Sequence, residues 1–166
     1  MKTVPADMLM LEARRPAVDF DGAPIRNLRL PWPPSLNKIW RGKKKGQSGV
    51  FLSERALNFR RQASFAVSLA RMARRIPESP VDGNVAVRLA FFPPDGRLRD
   101  LDNLPKSVFD ALTHAHVWLD DQQVRYIESW FGPKVKSGAV VLSIAPVASP
   151  ESLKTRSAEA EAGEEK

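Results

Sequence analysis

Cysteine is absent from this chain of 166 residues. Disulfides and thiolate metal sites are therefore excluded, although the absence does not fix a compartment. Histidine is limited to His114 and His116. With no third histidine, they suit a helix C-terminus, where a cation meets the dipole, better than a metal. Long apolar runs are missing too. The longest, residues 139–148, is broken by Ser143 and Pro146 and is too short to span a bilayer. Residues 1–16 hold no unbroken apolar stretch of signal-peptide type. The expectation is a cytoplasmic protein with no membrane partner. Ser53 and Ser107 have no matching His–Asp set, so serine nucleophilic catalysis is not supported.

Carboxylates are scarce through the middle of the chain. Residues 25–147 carry 20 Lys+Arg against 10 Asp+Glu. The whole chain has a net charge of +7 and a pI near 10.1, which favours an anionic partner, nucleic acid first. A ribosome-associated or membrane-surface protein could show the same balance. Five of the ten acids (Asp100, Asp102, Asp110, Asp120 and Asp121) fall within 22 residues. Scarce carboxylates gathered in a basic chain suggest a divalent cation held against a polyanion. Carboxylate oxygens are the hard ligands that Mg²⁺ prefers, and Lys and Arg hold phosphates.

The length and a hydrophobic content of 43% predict one domain with tails. Residues 1–24, with Pro5, Pro16 and Pro24, read as an extension. Residues 25–147 read as the domain, and 148–166 as a polar, acidic, disordered tail. Leu28 and Leu30 mark a first strand, ended by Pro31, Pro33 and Pro34. Residues 41–49 read as a mobile basic loop. Ser53 is a good N-cap for a helix to about Ile76, with Ala56, Phe59, Ala63, Ala66 and Ala70 on its apolar face. Val85, Val87, Leu89 and Phe91 alternate as a strand. Leu104, Val108, Ala111, Leu112 and Ala115 line a second helix, with Asp102 as its cap and Pro105 in its first turn. Strands at 124–131 and 139–145 follow, separated by a stretch, 134–138, short enough for a hairpin loop. The order β-α-β-α-β-β predicts an α/β fold of the mixed α+β kind, a roughly four-stranded mixed sheet with two main helices.

Asp100 and Asp102 are two apart, so both carboxylates point the same way if the segment entering the helix is extended, and Lys106 lies one turn beyond Asp102. The second helix carries the chain roughly 20 Å at about 1.5 Å per residue. The return loop must bring Asp121 back if it is to share a site with Asp100. Phosphodiester cleavage needs an activated water and a neutralised leaving oxygen, which Mg²⁺ on Asp carboxylates supplies. A nearby lysine stabilises charge on the phosphorane. On spacing alone the better reading of the same residues is a helix cap, its lysine partner and a solvated turn, since caps and surface acids are common.

The run Asp100-Leu101-Asp102-Asn103-Leu104-Pro105-Lys106, followed by Phe109-Asp110-Ala111-Leu112 and then Asp120-Asp121, resembles the RusA Holliday junction resolvases. The early Leu30-Pro31-Trp32-Pro33-Pro34-Ser35-Leu36-Asn37 matches that family's opening strand and proline-rich turn. The resemblance covers about residues 27–146. It implies a homodimeric endodeoxyribonuclease, dependent on Mg²⁺ with Mn²⁺ as a substitute, that resolves four-way junction DNA by paired nicks in recombination and repair. It places the catalytic and metal-binding acids at Asp100, Asp102 and Asp121 and the essential lysine at Lys106. A bacterial or phage setting fits the family. The alternatives are a non-catalytic basic DNA- or junction-binding protein and a metal nuclease acting on other branched DNA.

Lys43, Lys44 and Lys45 are candidates to grip the DNA backbone, as are Arg97 and Arg99 beside the acids. Arg60, Arg61, Arg71, Arg74 and Arg75 form either a DNA-facing stripe or a solvated helix face. Trp118 and Trp130 are expected in the core. Trp32 and Trp40 are open to either burial or stacking on bases.

Overall fold

The computed structural model describes residues 18–35, 40–42 and 50–147. In chain order these form β1 (Ile25–Pro31), β2 (Trp40–Gly42), β3 (Val50–Leu52), α1 (Glu54–Met72), β4 (Val85–Phe92), α2 (Pro105–His114), β5 (Val124–Phe131) and β6 (Ala139–Pro146). Two 3₁₀ turns, Leu101–Asn103 and Asp121–Gln123, bracket α2. The fold is the mixed α/β arrangement expected, with two helices and a four-stranded mixed sheet.

The sheet order is β1-β6-β4-β5. β6 runs antiparallel to both β1 and β4, while β5 runs parallel to β4. The expected β5–β6 hairpin is therefore not formed. Parallel strands cannot be joined by a tight turn, so the chain between β4 and β5 must make a crossover, and α2 lies in it. β6 inserts between β1 and β4. Sequence patterning had no means of ordering these strands, because alternation is a property of each strand by itself.

Two further differences are local. The basic segment expected as a loop has paired ends, since Trp40–Gly42 and Val50–Leu52 form a two-stranded antiparallel ladder. Lys43, Lys44 and Lys45 lie outside the described residues. β1 begins three residues before the Leu28–Leu30 alternation. Its register shifts between Ile25 and Leu28, where Asn27 takes a left-handed φ of 51° and its N–H donates to Ser143 Oγ at 3.2 Å. Asparagine tolerates that conformation, and the bulge breaks the period of two that would have revealed the strand.

α1 starts where Ser53 predicts. The Ser53 Oγ accepts from the Ala56 N–H at 3.3 Å, and Ala56, Phe59, Ala63, Val67 and Ala70 form the buried face. The helix ends at Met72, four residues short of Ile76. Arg71, placed with the candidate DNA stripe, instead donates to the carbonyls of Pro77, Ala115 and His116. It clamps the end of α1 to the end of α2.

The main core joins β1, β4, β6 and both helices through Leu30, Phe59, Val87, Leu89, Leu112 and Ile144, among others. Residues 18–24 contribute to a smaller cluster, in which Phe20 and Ala23 pack on Ala86 and Ala145. The Arg88 guanidinium lies 4.0 Å over the Phe20 ring and pairs with Glu128 at 2.8 Å. Trp118 is fully buried, as expected, but Trp130 is 43% exposed. β5 is an edge strand, so a side chain there lacks a neighbour on one side. Among the described residues no helix is long and apolar enough to cross a membrane.

Trp118 joins several of these elements. Its ring meets Phe109 edge-on at 5.7 Å, its Nε1–H donates to Thr113 Oγ1 at 2.6 Å, and its backbone bridges to Val81. Trp118→Ala is expected to cost about 3–5 kcal/mol of stability. Equilibrium urea unfolding measures it, and a loss under about 1 kcal/mol would mean that the core closes without this ring.

Candidate active site

The acids sit on either side of α2. Leu104 is 1% exposed, and Leu101 packs against the same core. These two leucines anchor the first 3₁₀ turn, which leaves Asp100 and Asp102 exposed to solvent. Asp100 Oδ2 accepts from the Asn103 side-chain amide at 3.3 Å, and the Asn103 N–H reaches the Asp100 carbonyl at 3.4 Å. Asp102 does not cap α2. The helix begins at Pro105, its N-cap is Leu104 with no side-chain cap bond, and Asp102 lies within the turn. Asp102 has no hydrogen-bond or ion-pair partner among the described residues.

Lys106 reaches across to the far side of the crossover. Its ammonium pairs with Asp110 Oδ1 at 2.8 Å and with Asp121 Oδ2. The partner expected from helical spacing, Asp102, is not the one it takes. Burial works to lower the Lys106 pKa, but the hydrogen bonds to Asp110 and Asp121 outweigh it and hold the ammonium above the ordinary lysine value. Asp110 was in the motif without an assigned role. Its signal was the Lys106-to-Asp110 step of four, which places two charges on one helix face.

Asp120 and Asp121 have separate tasks. Asp120 Oδ1 accepts from the Gln122 N–H at 2.8 Å, and Gln123 Oε1 accepts from the Asp120 N–H at 3.1 Å, so this pair caps the turn. The Gln123 amide nitrogen donates to the carbonyls of Val81 at 3.0 Å and Gly83 at 2.7 Å, fixing the turn to the start of β4. Asp121, next to the cap, is left to face Lys106.

Ser107 has a structural part. Its hydroxyl lies 2.8 Å from the Pro34 carbonyl and 2.9 Å from that of Leu104. This contact joins the proline-rich segment after β1 to the start of α2. Arg99 is held by Asp95 at 2.6 Å and by the Arg97 carbonyl at 2.7 Å, and lies 5.3 Å over the Trp32 ring. Arg97 is exposed, and its charge acts with that of Arg99 on Asp95. Trp32 also meets Phe91 edge-on at 6.3 Å, so it is a wall of the site rather than a free stacking surface. Gly138 sits behind it. Its φ is 66°, and a Cβ there would stand 2.9 Å from Trp32 Cβ and from Pro94 Cδ.

The donor chemistry of Asp100, Asp102 and Asp121 fits a hard divalent cation: they are oxygen ligands, and Asp100 and Asp102 are open to water that such an ion retains. Among the described residues no three acids or histidines are gathered as a ready-made metal cluster. Asp121 is instead matched by the Lys106 ammonium, so the spot already favours positive charge.

A family model described as endodeoxyribonuclease RusA matches residues 31–145. The crossover junction endodeoxyribonuclease RusA of Escherichia coli is 36% identical over 122 residues, covering 71% of this chain and 92% of its own length. The protein of the same name from Enterobacteria phage 82 is also 36% identical over 122 residues, with the same coverage. That of Shigella sonnei is 34% identical over 118 residues, again covering 71% and 92%.

The loop carrying Arg97 and Arg99 has a pH signature. The Arg97 N–H and the Arg99 guanidinium hold the Asp95 carboxyl below its ordinary value. Its folded pKa is thus lower than in the unfolded chain. The stabilisation is present above the ordinary 3.8 and is lost as pH falls through the lowered folded value. Asp95→Asn should lower the melting temperature slightly at neutral pH, and the gap to the wild type should close on acidification below that range. A gap that stays constant with pH would mean that the pair does not stabilise the loop.

Proposed function

The chain belongs to the RusA family of endodeoxyribonucleases, and on that premise we propose that it resolves four-way DNA junctions as a homodimer, with a divalent cation, Mg²⁺ or Mn²⁺, held by Asp100, Asp102 and Asp121. The observation that carries this reading is the Lys106–Asp121 contact. It ties the first turn of α2 to the 3₁₀ turn that carries Asp121, although 15 residues separate the partners in sequence. A chain whose acids only capped helices would have no need of that link.

The cation, when bound, activates a water and neutralises the leaving oxygen. The chain's own residues do the rest. Asp100 and Asp102 stand on a turn anchored by Leu101 and Leu104, with their carboxylates open to solvent. Lys106 is kept protonated by Asp110 and Asp121. With Asp110 retaining it from one side, the ammonium is available to the charge that builds on the scissile phosphate. Arg97, exposed beside Asp95, would contact the DNA backbone. Arg99 is held by Asp95, so its first role is to shape the site. Lys43, Lys44 and Lys45, as part of the basic segment between β2 and β3, extend the contact with DNA. A homodimer would bring two such centres to a junction of near two-fold symmetry, one for each nicked strand.

Residues 25–147 form the nuclease unit in this reading, with 1–24 and 148–166 as extensions. The bacterial and phage relatives support a cytoplasmic setting in recombination and repair. Purified protein incubated with four-way, flap and linear DNAs, with and without Mg²⁺, tests the whole proposal. Paired Mg²⁺-dependent nicks in the four-way junction are expected. A shifted but uncut junction would make the chain a DNA-binding protein only.

Asp100→Asn, Asp102→Asn and Asp121→Asn should each abolish cleavage while retaining junction binding, read by gel shift. Asp120→Asn should act more mildly, because Asp120 caps a turn. Full Mg²⁺-dependent cutting by any one of the three would remove that residue from the site.

Lys106→Ala should slow the chemical step by roughly 10²–10³, the usual cost of one electrostatic contact to a transition state. Junction affinity should change less. Single-turnover rates at saturating enzyme separate the two effects, and an unchanged rate would leave Lys106 a structural tie alone.

A further inference from the structure

Beside Asp100, and sharing Trp32, Arg97 and Arg99 with the site above, lies a cavity of about 500 Å³ whose α1 side the chemistry above does not use. It opens between the proline-rich segment after β1, the first half of α1 and the loop after β4. Its size is that of a small-molecule site. A DNA duplex does not enter such a space, whereas a single nucleotide does.

The lining has the composition that an unpaired nucleotide needs. Trp32 and its prolines give one apolar side. Arg99, held over that ring, adds a guanidinium of the kind on which unpaired bases stack. Arg55 and Arg97 are exposed cations at the cavity, and among the described residues Asp100 is the one carboxylate that lines it. Asn58 and Gln62 stand one helical turn apart on α1 and also line it. Both are exposed, and neither side-chain amide is bonded to another described residue. Each carries a donor and an acceptor, the pattern that pairs with a base edge.

The geometry points to a pocket for one unpaired deoxynucleotide next to the scissile phosphate, with Arg55 and Arg97 on its phosphates and Asn58 and Gln62 reading its base. The inference rests on the junction-nuclease reading, since Asp100 belongs to both sites. Nucleotides at the crossover of a junction are the ones most easily unstacked, because their stacking is already interrupted. Base choice at that position would then come from α1, an element with no part in the chemistry.

The test uses the full chain and four-way junctions carrying the fluorescent base aminopurine in place of, or next to, each base at the crossover. On binding in metal-free buffer, emission should rise several-fold at one position, which marks the unstacked nucleotide. Rates in Mg²⁺ are then compared for junctions with each of the four bases there. In the Asn58→Ala/Gln62→Ala double variant, the spread of rates between the best and worst base should fall by about tenfold, the value of one well-formed base contact. Both positions are exposed on a helix, where alanine is well tolerated.

No emission change at any crossover position under saturating binding would overturn the pocket. So would an unchanged spread of rates in the double variant. A uniform loss of cleavage across all four bases would also overturn it, and would make the cavity a phosphate contact only. The fluorescence needs no cleavage. A chain that unstacks the base but nicks no DNA would therefore defeat the nuclease reading and leave the pocket standing.

Discussion

The parallel pairing of β4 with β5 is the constraint on which the rest of this structure depends. Two parallel neighbours require a connection that leaves one end of the sheet and returns to the other. Here that connection is residues 93–123, and it carries Asp100, Asp102, Lys106, Asp110 and Asp121. An antiparallel β4–β5 pair would need only a short turn, with no intervening helix to set Lys106 against Asp121. The crossover makes that contact a consequence of sheet topology.

Apolar contacts then convert approach into position. Leu101 and Leu104 sink into the core, and Asp100 and Asp102 are left outside on the same turn. Ser107 ties α2 to Pro34, Arg71 ties the far end of α2 to α1, and Gln123 ties the second turn to the start of β4. Each is a bond between segments distant in sequence. Together they fix both ends of the crossover, so the charged groups are carried on rigid elements. That arrangement favours preorganised chemistry over capture by a flexible loop.

Charge distribution completes the picture. A basic chain attracts DNA, but a carboxylate cluster repels it unless a cation intervenes. In the structure the ammonium of Lys106 intervenes between Asp110 and Asp121. One ammonium does not offset the site: among the described residues Asp100 and Asp102 have no ion-pair partner and face water, so negative charge remains in excess. Arg55 and Arg97 line the neighbouring cavity and are exposed.

Much of this was legible in the sequence. Periodicity gave both helices and the strands β4, β5 and β6, since alternation and helical spacing are local properties. Ser53 announced its cap for the same reason. The acidic motif was visible because its residues are close in sequence and scarce elsewhere. Tertiary structure alone decided the partners. It set β6 between β1 and β4 and withheld the β5–β6 hairpin, because pairing depends on which distant strands share a face. It gave Lys106 to Asp121 rather than Asp102, used Arg71 as a clamp rather than a DNA contact, and exposed Trp130 by placing β5 at the edge. Residue type and spacing determine what each segment can form. Which segments meet is fixed only when the whole core closes, and the site is assembled at those meetings.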